Sequence, residues 1–154
     1  MRALVTGGGS GIGAAVAHRL ADDGFNVTVA DLDPDAVATD LGATGVRLDV
    51  RDEAQVAQAM DGVDVLVNAA GIGSTADAEG TSLEVWDNVF AVNARGTFLC
   101  CKHVIPGMKA RGSGVIVNIA SVAGLIGLKN RVAYSASDGA VIALSRAHNS
   151  TTGT

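Results

Sequence analysis

The 154-residue sequence has no apolar run long enough to span a membrane, and its first residues do not form a secretory leader. A spanning helix needs about 20 consecutive apolar residues. The opening MRALVTGGG lacks the basic segment, apolar stretch and small-residue cleavage site of a signal peptide. These absences argue against a membrane protein and predict a soluble protein in the cytoplasm.

Basic residues are scarce and scattered. The chain has 11 Lys and Arg against 16 Asp and Glu, which gives a net charge of -5. Nucleic acids and anionic lipid surfaces are bound by clustered Lys and Arg side chains. The sequence therefore argues against nucleic acid and anionic membranes as partners.

Cysteine and histidine are too few and too dispersed for a disulfide framework or a metal site. Cys100 and Cys101 are neighbours in a helical segment, where adjacent side chains point to different faces. His18, His103 and His148 lack the spacing of metal ligands. We therefore predict no metal site and a reducing compartment.

Short β-branched runs alternate with helical patterns along the chain. Five runs predict strands: ALVT at 3–6, NVTVAD at 26–31, TGVRLDV at 44–50, VDVLVNAAG at 63–71 and GVIVNIAS at 114–121. Helices are predicted at Ile12–Ala21, Pro34–Leu41, Glu53–Met60, Leu83–Ala110 and Tyr134–Ala147. Such alternation predicts an α/β fold with a doubly wound, Rossmann-like parallel sheet in strand order 3-2-1-4-5.

The ends of these elements carry further expectations. In TSLE, Thr81 is expected to cap the long helix, which should bend or end near Pro106 and Gly107. Residues 1–148 are expected to form one domain, with a disordered tail at 149–154. Material for a sixth strand is absent, so 114–119 should be an exposed apolar edge.

The glycine-rich string TGGGSGIG follows the first strand and opens the first helix. Glycines there let the backbone approach a pyrophosphate, whose charge the N–H groups and the helix N-terminus stabilise. The alternative is a purely structural turn. The candidate cofactor-binding residues of this loop are Thr6, Gly7, Gly9, Ser10, Gly11, Ile12 and Gly13.

An acidic residue closes the second strand. Asp31 lies 18 residues beyond Gly13, where a carboxylate accepts hydrogen bonds from the ribose 2′-OH and repels a 2′-phosphate. This position favours NAD over NADP as the cofactor. The alternative is that Asp31 only caps the following turn, DLDPDA.

The spacing of Gly7, Gly11 and Gly13, T-G-x-x-x-G-I-G, resembles that of the short-chain dehydrogenase/reductase family, and further motifs follow in order to about Ala147. The resemblance implies an oxidoreductase that transfers hydride between NAD(H) and a secondary alcohol or ketone. It also implies a homo-oligomer that pairs through helices 83–110 and 134–147. The further cofactor-binding residues that it implies are Asp49, Val50, Asn68, Ala69, Ala70 and Gly71.

The resemblance also implies a proton-transfer site. Asn93 matches the family's helix-bending asparagine, which holds a water in the proton path, while Ser121 and Tyr134 match the residues that hydrogen-bond the substrate oxygen and transfer its proton. Taken without the family, Asn68 and Asn93 could be satisfied buried amides. Ser121 could simply begin a loop, and Tyr134 could be a core or interface aromatic.

One position departs from the family pattern Y-x-x-x-K. The residue four after Tyr134 is Asp138, which places a carboxylate where an ammonium would favour the ionised phenol. Lys129 and Arg131 are expected to be solvated rather than to replace that cation. We therefore expect impaired activity, the alternatives being a non-catalytic NAD-binding and dimerising module or a truncated, degenerate family fragment.

Overall fold

The computed structural model describes residues 1–151, with side chains as far as residue 148. These residues divide into two compact units. The sheet unit comprises Met1–Ala70 and Leu99–Ile119. The helical unit comprises Gly71–Phe98 and the described residues from Ala120 onward. The assignment of 1–148 to a single domain stays a prediction.

A parallel sheet organises the sheet unit. Its strand order is β3-β2-β1-β4-β5, and every pairing is parallel. The predicted α/β, doubly wound, Rossmann-like fold is thereby confirmed. The strands are β1 (Arg2–Thr6), β2 (Asn26–Asp31), β3 (Thr44–Arg47), β4 (Val65–Asn68) and β5 (Val115–Asn118).

The interiors of strands β1, β2 and β4 are mainly apolar because the sheet is buried there on both faces. Leu4, Val5, Val29 and Leu66 are fully buried. A continuous apolar run, rather than strict alternation, is typical of such strands. By contrast, β5 is an edge strand, as expected, and its Val115 and Val117 are 54% and 43% exposed.

Four helices belong wholly or mainly to the sheet unit: α1 (Gly11–Asp22), α2 (Asp35–Leu41), α3 (Glu53–Ala59) and α5 (Thr97–Arg111). Local chemistry explains two of their ends. The Asp52 side chain accepts hydrogen bonds from the backbone N–H groups of Ala54 and Gln55, which caps α3. Gly42 ends α2 in the left-handed conformation, at φ 59°.

The predicted helix Leu83–Ala110 is interrupted. It consists of α4 (Leu83–Phe90), a π-helical segment (Ala91–Gly96) and α5. The helix does not end near Pro106 and Gly107, because α5 continues through both to Arg111. A bend there stays a prediction. The irregular hydrogen bonding lies at the π-helical segment instead.

The predicted N-cap of α4 is off by one residue. Ser82 Oγ accepts a hydrogen bond from the Val85 backbone N–H at 3.2 Å. Thr81 Oγ1 instead donates to the Asp77 carbonyl at 2.6 Å. The capping chemistry is therefore of the predicted type but at the neighbouring residue.

The last helix, α6 (Val132–Thr151), is longer at both ends than predicted. Tyr134 is its third residue. The helix continues past Ala147, and neither Gly nor Pro lies between Ala147 and Gly153 to end it there. Residues 149–151 of the expected tail therefore have a helical backbone. Residues 152–154 of that tail lie outside the described residues.

We expect Leu66→Ala to destabilise the protein by about 2–5 kcal/mol, because truncating a buried leucine loses apolar burial and leaves a cavity. Leu66 is fully buried on β4. Urea unfolding followed by circular dichroism measures the change. Leu83→Ala is the matched control, since Leu83 is 80% exposed. Equal costs for the two substitutions would contradict this account of the core.

Candidate functional site

The loop between β1 and α1 leaves no room for side chains at several of its glycines. Gly7 has φ +67°, and a Cβ there would lie 2.7 Å from the Ala70 backbone. A Cβ at Gly13 would meet the Gly7 carbonyl oxygen, and one at Gly9 would meet the Asp33 carbonyl oxygen. The loop is therefore a closely packed backbone cradle that only glycine allows.

The first turn of α1 opens this loop toward solvent. Ser10 occupies the N-cap position in an extended conformation, but its side chain makes no capping hydrogen bond. Ile12, in the first turn, is 63% exposed, and Gly11 has φ +53°. Uncapped N–H groups at a helix N-terminus form a ready site for an anion.

Asp31 at the end of β2 is tied to the glycine loop. Its Oδ2 accepts a hydrogen bond from the Gly9 backbone N–H at 3.0 Å, and its Oδ1 accepts from the Asp33 N–H at 3.1 Å. Oδ1 therefore caps the turn that follows β2, while Oδ2 bonds to the glycine loop. An ionised carboxylate offers about four lone-pair sites, so Asp31 retains capacity to accept a ribose hydroxyl.

The carboxyl ends of β1 and β4 are joined by side-chain hydrogen bonds. Thr6 Oγ1 accepts from the backbone N–H groups of Ala69 and Ala70 at 3.2 and 3.3 Å. Thr6 is only 1% exposed. Its hydroxyl therefore fixes the segment after β4 against β1 and holds the backbone beside Gly7 in place.

Asn68 belongs to a buried polar cluster that the sequence did not reveal. Its Nδ2 donates to Asn118 Oδ1 at 2.9 Å and contacts Cys101 Sγ at 3.7 Å, while its Oδ1 has no hydrogen-bond partner. Burial raises the pKa of the Cys101 thiol to about 11, so the thiol stays protonated. The sequence signal for this cluster was the matching position of the asparagines in VLVN and VIVN.

Asp49 and Val50 lie after β3. The Asp49 carboxylate pairs with the Arg51 guanidinium at 2.7 Å, and this hydrogen bonding holds the pKa of Asp49 below its usual value. Val50 is 7% exposed. The contact of this pair with an adenine ring stays a prediction.

In the helical unit, Asn93 is the centre of a hydrogen-bond network. Its Oδ1 accepts from the Ile72 N–H at 2.8 Å, and its Nδ2 donates to the Ile72 carbonyl and to Ser137 Oγ, both at 3.0 Å. Gly71 lies beside it, since a Cβ there would be 3.5 Å from Asn93 Oδ1. Asn93 therefore fastens the π-helical segment to the chain after β4.

The same network reaches Tyr134 through a serine that the sequence did not single out. Ser137 is fully buried, and its Oγ donates to the Tyr134 carbonyl at 2.8 Å. Ser121 Oγ accepts from the Ala123 N–H at 3.1 Å, and none of the described residues accepts its hydroxyl proton. Ser121 is thus free to donate to a substrate oxygen.

Asp138 is buried beside these residues, with 6% of its surface exposed. Burial raises the pKa of its carboxyl, although hydrogen bonds from the Ser121 backbone N–H and the Tyr134 hydroxyl act in the opposite direction. Its Oδ2 has no hydrogen-bond partner. The helical unit therefore brings Ser121 and Tyr134 together at a carboxyl group.

Neither cation that precedes Tyr134 acts on this carboxyl. Arg131 Nη1 donates to the Ser74 carbonyl at 3.2 Å, and Lys129 is exposed. Among the side chains that the structure describes, Tyr134 is the only titratable group that acts on the Asp138 carboxyl. The ammonium of the family pattern therefore has no substitute among the described residues.

Comparison with known proteins assigns the chain to one family. The family model described as short chain dehydrogenase matches residues 1–153. The chain belongs to the short-chain dehydrogenase family. The roles of the glycine loop, of Ser121 and Tyr134, and of Asp138 at the lysine position of the family pattern stay predictions.

Two curated relatives of this short-chain dehydrogenase are similar over almost all of its length. D-threitol dehydrogenase of Mycolicibacterium smegmatis is 42% identical, with 94% of this chain and 61% of the relative covered. 2-Dehydro-3-deoxy-L-rhamnonate dehydrogenase (NAD(+)) of a Sphingomonas strain is 41% identical, with 94% and 63% covered. The chain therefore spans 61–63% of the length of these relatives.

A solved structure shows the same fold. The crystal structure of ribose-5-phosphate isomerase from Brucella melitensis 16M superimposes with a TM-score of 0.92 at 38% identity, over 97% of this chain and 62% of that one. Within residues 1–151 of this short-chain dehydrogenase, no helix is long and apolar enough to cross a membrane. The same residues contain no cluster of three or more His, Cys, Asp or Glu that could hold a metal ion.

We expect Asp138→Asn to be more stable than the parent at pH 7 by about 1–3 kcal/mol, because the neutral amide replaces an ionised group that is costly to bury without a partner. Burial raises the folded-state pKa of Asp138 above its value in the unfolded chain. Its contribution to stability is therefore present below about pH 4 and is lost as pH rises through the folded-state pKa.

The difference in unfolding free energy between Asp138→Asn and the parent should accordingly narrow as pH falls from 7 to 4. Urea unfolding across that range measures it. Asp87→Asn, at an exposed carboxyl of α4, is the control and should leave stability nearly unchanged. A gap that stays constant with pH, or that favours the parent at pH 7, would contradict the assigned burial.

Proposed function

We propose that this short-chain dehydrogenase transfers hydride between NAD(H) and a secondary alcohol or ketone. The observation that carries the proposal is the meeting of Ser121 and Tyr134 at Asp138 within the helical unit. A serine that donates to the substrate oxygen and a tyrosine that exchanges its proton are the groups that carbonyl–alcohol interconversion requires. The dehydrogenase names of the relatives support the same reaction class.

The residues of the sheet unit fit a dinucleotide. The cradle at Gly7, Gly9 and Gly13 admits a backbone approach to a pyrophosphate, and the first turn of α1 offers uncapped N–H groups. Asp31 would accept the ribose hydroxyls and repel a 2′-phosphate, which favours NAD. When bound, NAD+ supplies the acceptor for the hydride of the carbinol carbon.

The chain's own residues supply the proton chemistry. Ser121 donates a hydrogen bond to the substrate oxygen and so holds that oxygen near Tyr134. Tyr134 takes the proton of the substrate hydroxyl in oxidation and returns it in reduction. Asn93 and Ser137 hold α6 against the segment after β4 and so orient the tyrosine. We propose that a water near Asn93 connects this site to solvent.

The buried carboxylate favours a slower enzyme than the family pattern would give. A carboxyl at position 138 does not supply the positive charge that the lysine of the family pattern would place beside Tyr134. This observation also supports a second candidate, a module that binds NAD and dimerises without turnover. The two candidates differ in whether NADH forms when an alcohol is added to the NAD-bound protein.

We expect the purified protein to bind NAD at least about tenfold more tightly than NADP, a difference of about 1.4 kcal/mol. Calorimetric titration measures both affinities. Gly9→Ala should weaken NAD binding by a similar factor, because its Cβ would fall against the Asp33 carbonyl and lie 2.9 Å from Asp31 Cγ.

Gly127→Ala is the matched control for this titration. A Cβ at Gly127 has no atom within 4 Å, and its φ is not positive, so NAD affinity should not change. Asp31→Ser should narrow the preference for NAD over NADP by removing the charge. A folded parent that binds neither nucleotide would refute both the enzyme and the module.

We also propose that the chain forms a homo-oligomer through the helices that span 83–110 and 134–147. A groove of about 440 Å³ lies on the helical unit, lined mainly by apolar side chains that include Phe90, Phe98 and Leu144. Phe98 is 44% exposed.

The buried free thiols of Cys100 and Cys101 support a reducing compartment, and we propose a cytoplasmic location.

Phe98→Asp should convert a dimer to a monomer, because it places a charge in the apolar groove. Sedimentation velocity at micromolar protein concentration measures the change. Leu128→Asp is the control, since Leu128 is 41% exposed but does not line the groove. A monomeric parent, or a dimer that survives Phe98→Asp, would contradict this interface.

A further inference from the structure

Asp138 holds the only carboxylate oxygen among the described residues that is buried without a hydrogen-bond partner. Burying an ionised carboxylate is costly unless it is paired. Within residues 1–148, no positively charged side chain acts on this carboxyl. Asp138 is therefore not a structural ion-pair residue, and burial raises the pKa of its carboxyl.

The carboxyl also has a single titratable neighbour. The 3-10 helix Val122–Gly124, which packs on α6, contributes no titratable side chain, and a Cβ at Gly124 would lie 2.8 Å from the Asp138 carbonyl carbon. None of the charged or titratable side chains of α4, the π-helical segment and α6 acts on it apart from Tyr134. The others on those elements are Glu84, Asp87, Arg95, Arg146 and His148.

We propose that Asp138 is the proton acceptor behind Tyr134, so that the tyrosine passes a proton to a buried carboxylate instead of reacting as a phenolate. The proposal rests on the proposed oxidoreductase function and deepens it. Asp138 lies one helical turn from Tyr134 on the same face of α6. Its carboxyl is buried with one oxygen unpartnered, and among the described residues Tyr134 is the only titratable side chain that acts on it.

The relay balances in protons and electrons. In oxidation the substrate O–H bond breaks and its proton goes to Tyr134 Oη, while the Tyr134 hydroxyl proton goes to the Asp138 carboxylate. The carbinol C–H bond breaks with both electrons leaving to NAD+, so the alcohol is oxidised to a ketone and NAD+ is reduced. Tyr134 is neutral before and after the step, and Asp138 becomes a neutral acid.

Two roles for Asp138 predict opposite effects of Asp138→Asn on turnover. In one, the carboxylate accepts the proton from Tyr134; in the other, its charge only opposes ionisation of the tyrosine. If the carboxylate only disfavours the phenolate, asparagine removes the adverse charge, and turnover should rise or stay the same. If the carboxylate accepts the proton, asparagine removes the acceptor. General acid–base groups contribute about 100-fold or more to rates, so turnover should fall by that order.

The kinetic test measures kcat and KM for butan-2-ol oxidation at saturating NAD+ across pH 5–10 in the parent and in three variants. We expect kcat to decrease in the order Asp138→Lys, parent, Asp138→Asn, with KM little changed. Asp138→Glu keeps the acceptor and should retain activity. The parent's loss of rate at low pH, where Asp138 is protonated, should be absent in Asp138→Asn.

A second test needs neither cofactor nor substrate. Protein labelled with [4-13C]aspartate is titrated by NMR, and the Asp138 signal is assigned by its loss in Asp138→Asn. Tyr134→Phe should move the Asp138 midpoint to higher pH, because it removes the hydroxyl that lowers the carboxyl pKa. Ser135→Ala, one residue along α6, should leave the midpoint unchanged.

The outcomes separate the relay from the proposed function. An Asp138 midpoint that Tyr134→Phe does not move overturns the relay, as does turnover in which Asp138→Asn equals or exceeds the parent. NAD+ binding without turnover in the parent or any variant overturns the proposed oxidoreductase and the relay with it. The predicted rate order together with the shifted midpoint supports both.

Discussion

The parallel pairing of β1 between β2 and β4 is the constraint on which the nucleotide site depends. The register sets Thr6 opposite Ala30 on one side and opposite Asn68 on the other. Because the carboxyl ends of parallel strands meet at one edge, the glycine loop, Asp31 and the segment after β4 adjoin there. The Thr6 hydroxyl and the Gly9–Asp31 hydrogen bond then hold that edge together.

In the helical unit, the pairing of buried polar groups has the corresponding role. Asn93 is buried, and its amide oxygen and nitrogen are both paired, with Ile72 and Ser137. Asp138 is buried in the same unit without such compensation. Among the described residues, only the Tyr134 hydroxyl and the Ser121 backbone N–H act to lower the pKa of this carboxyl.

The fold was predictable to the extent that it depends on local pattern. Apolar runs, intervening helical periodicity and the glycine string placed every strand and the order of the sheet, although β3, β4 and β5 are shorter than predicted. The π-helical segment was not predictable from periodicity because it accompanies the hydrogen bonds between Asn93 and Ile72, residues far apart in the sequence. The N-cap of α4 is Ser82 rather than the predicted Thr81, whose hydroxyl donates to the Asp77 carbonyl instead.

The sequence by itself determined the α/β fold, the glycine cradle with Asp31 and the presence of a carboxylate where the family pattern has lysine, since each follows from residue type and spacing. The tertiary structure alone decided that Asp138 is buried, that its Oδ2 has no partner and that no cation acts on its carboxyl. The physical reason is that a sequence specifies the sign of a charge, whereas its solvation and its partners depend on which distant residues pack around it.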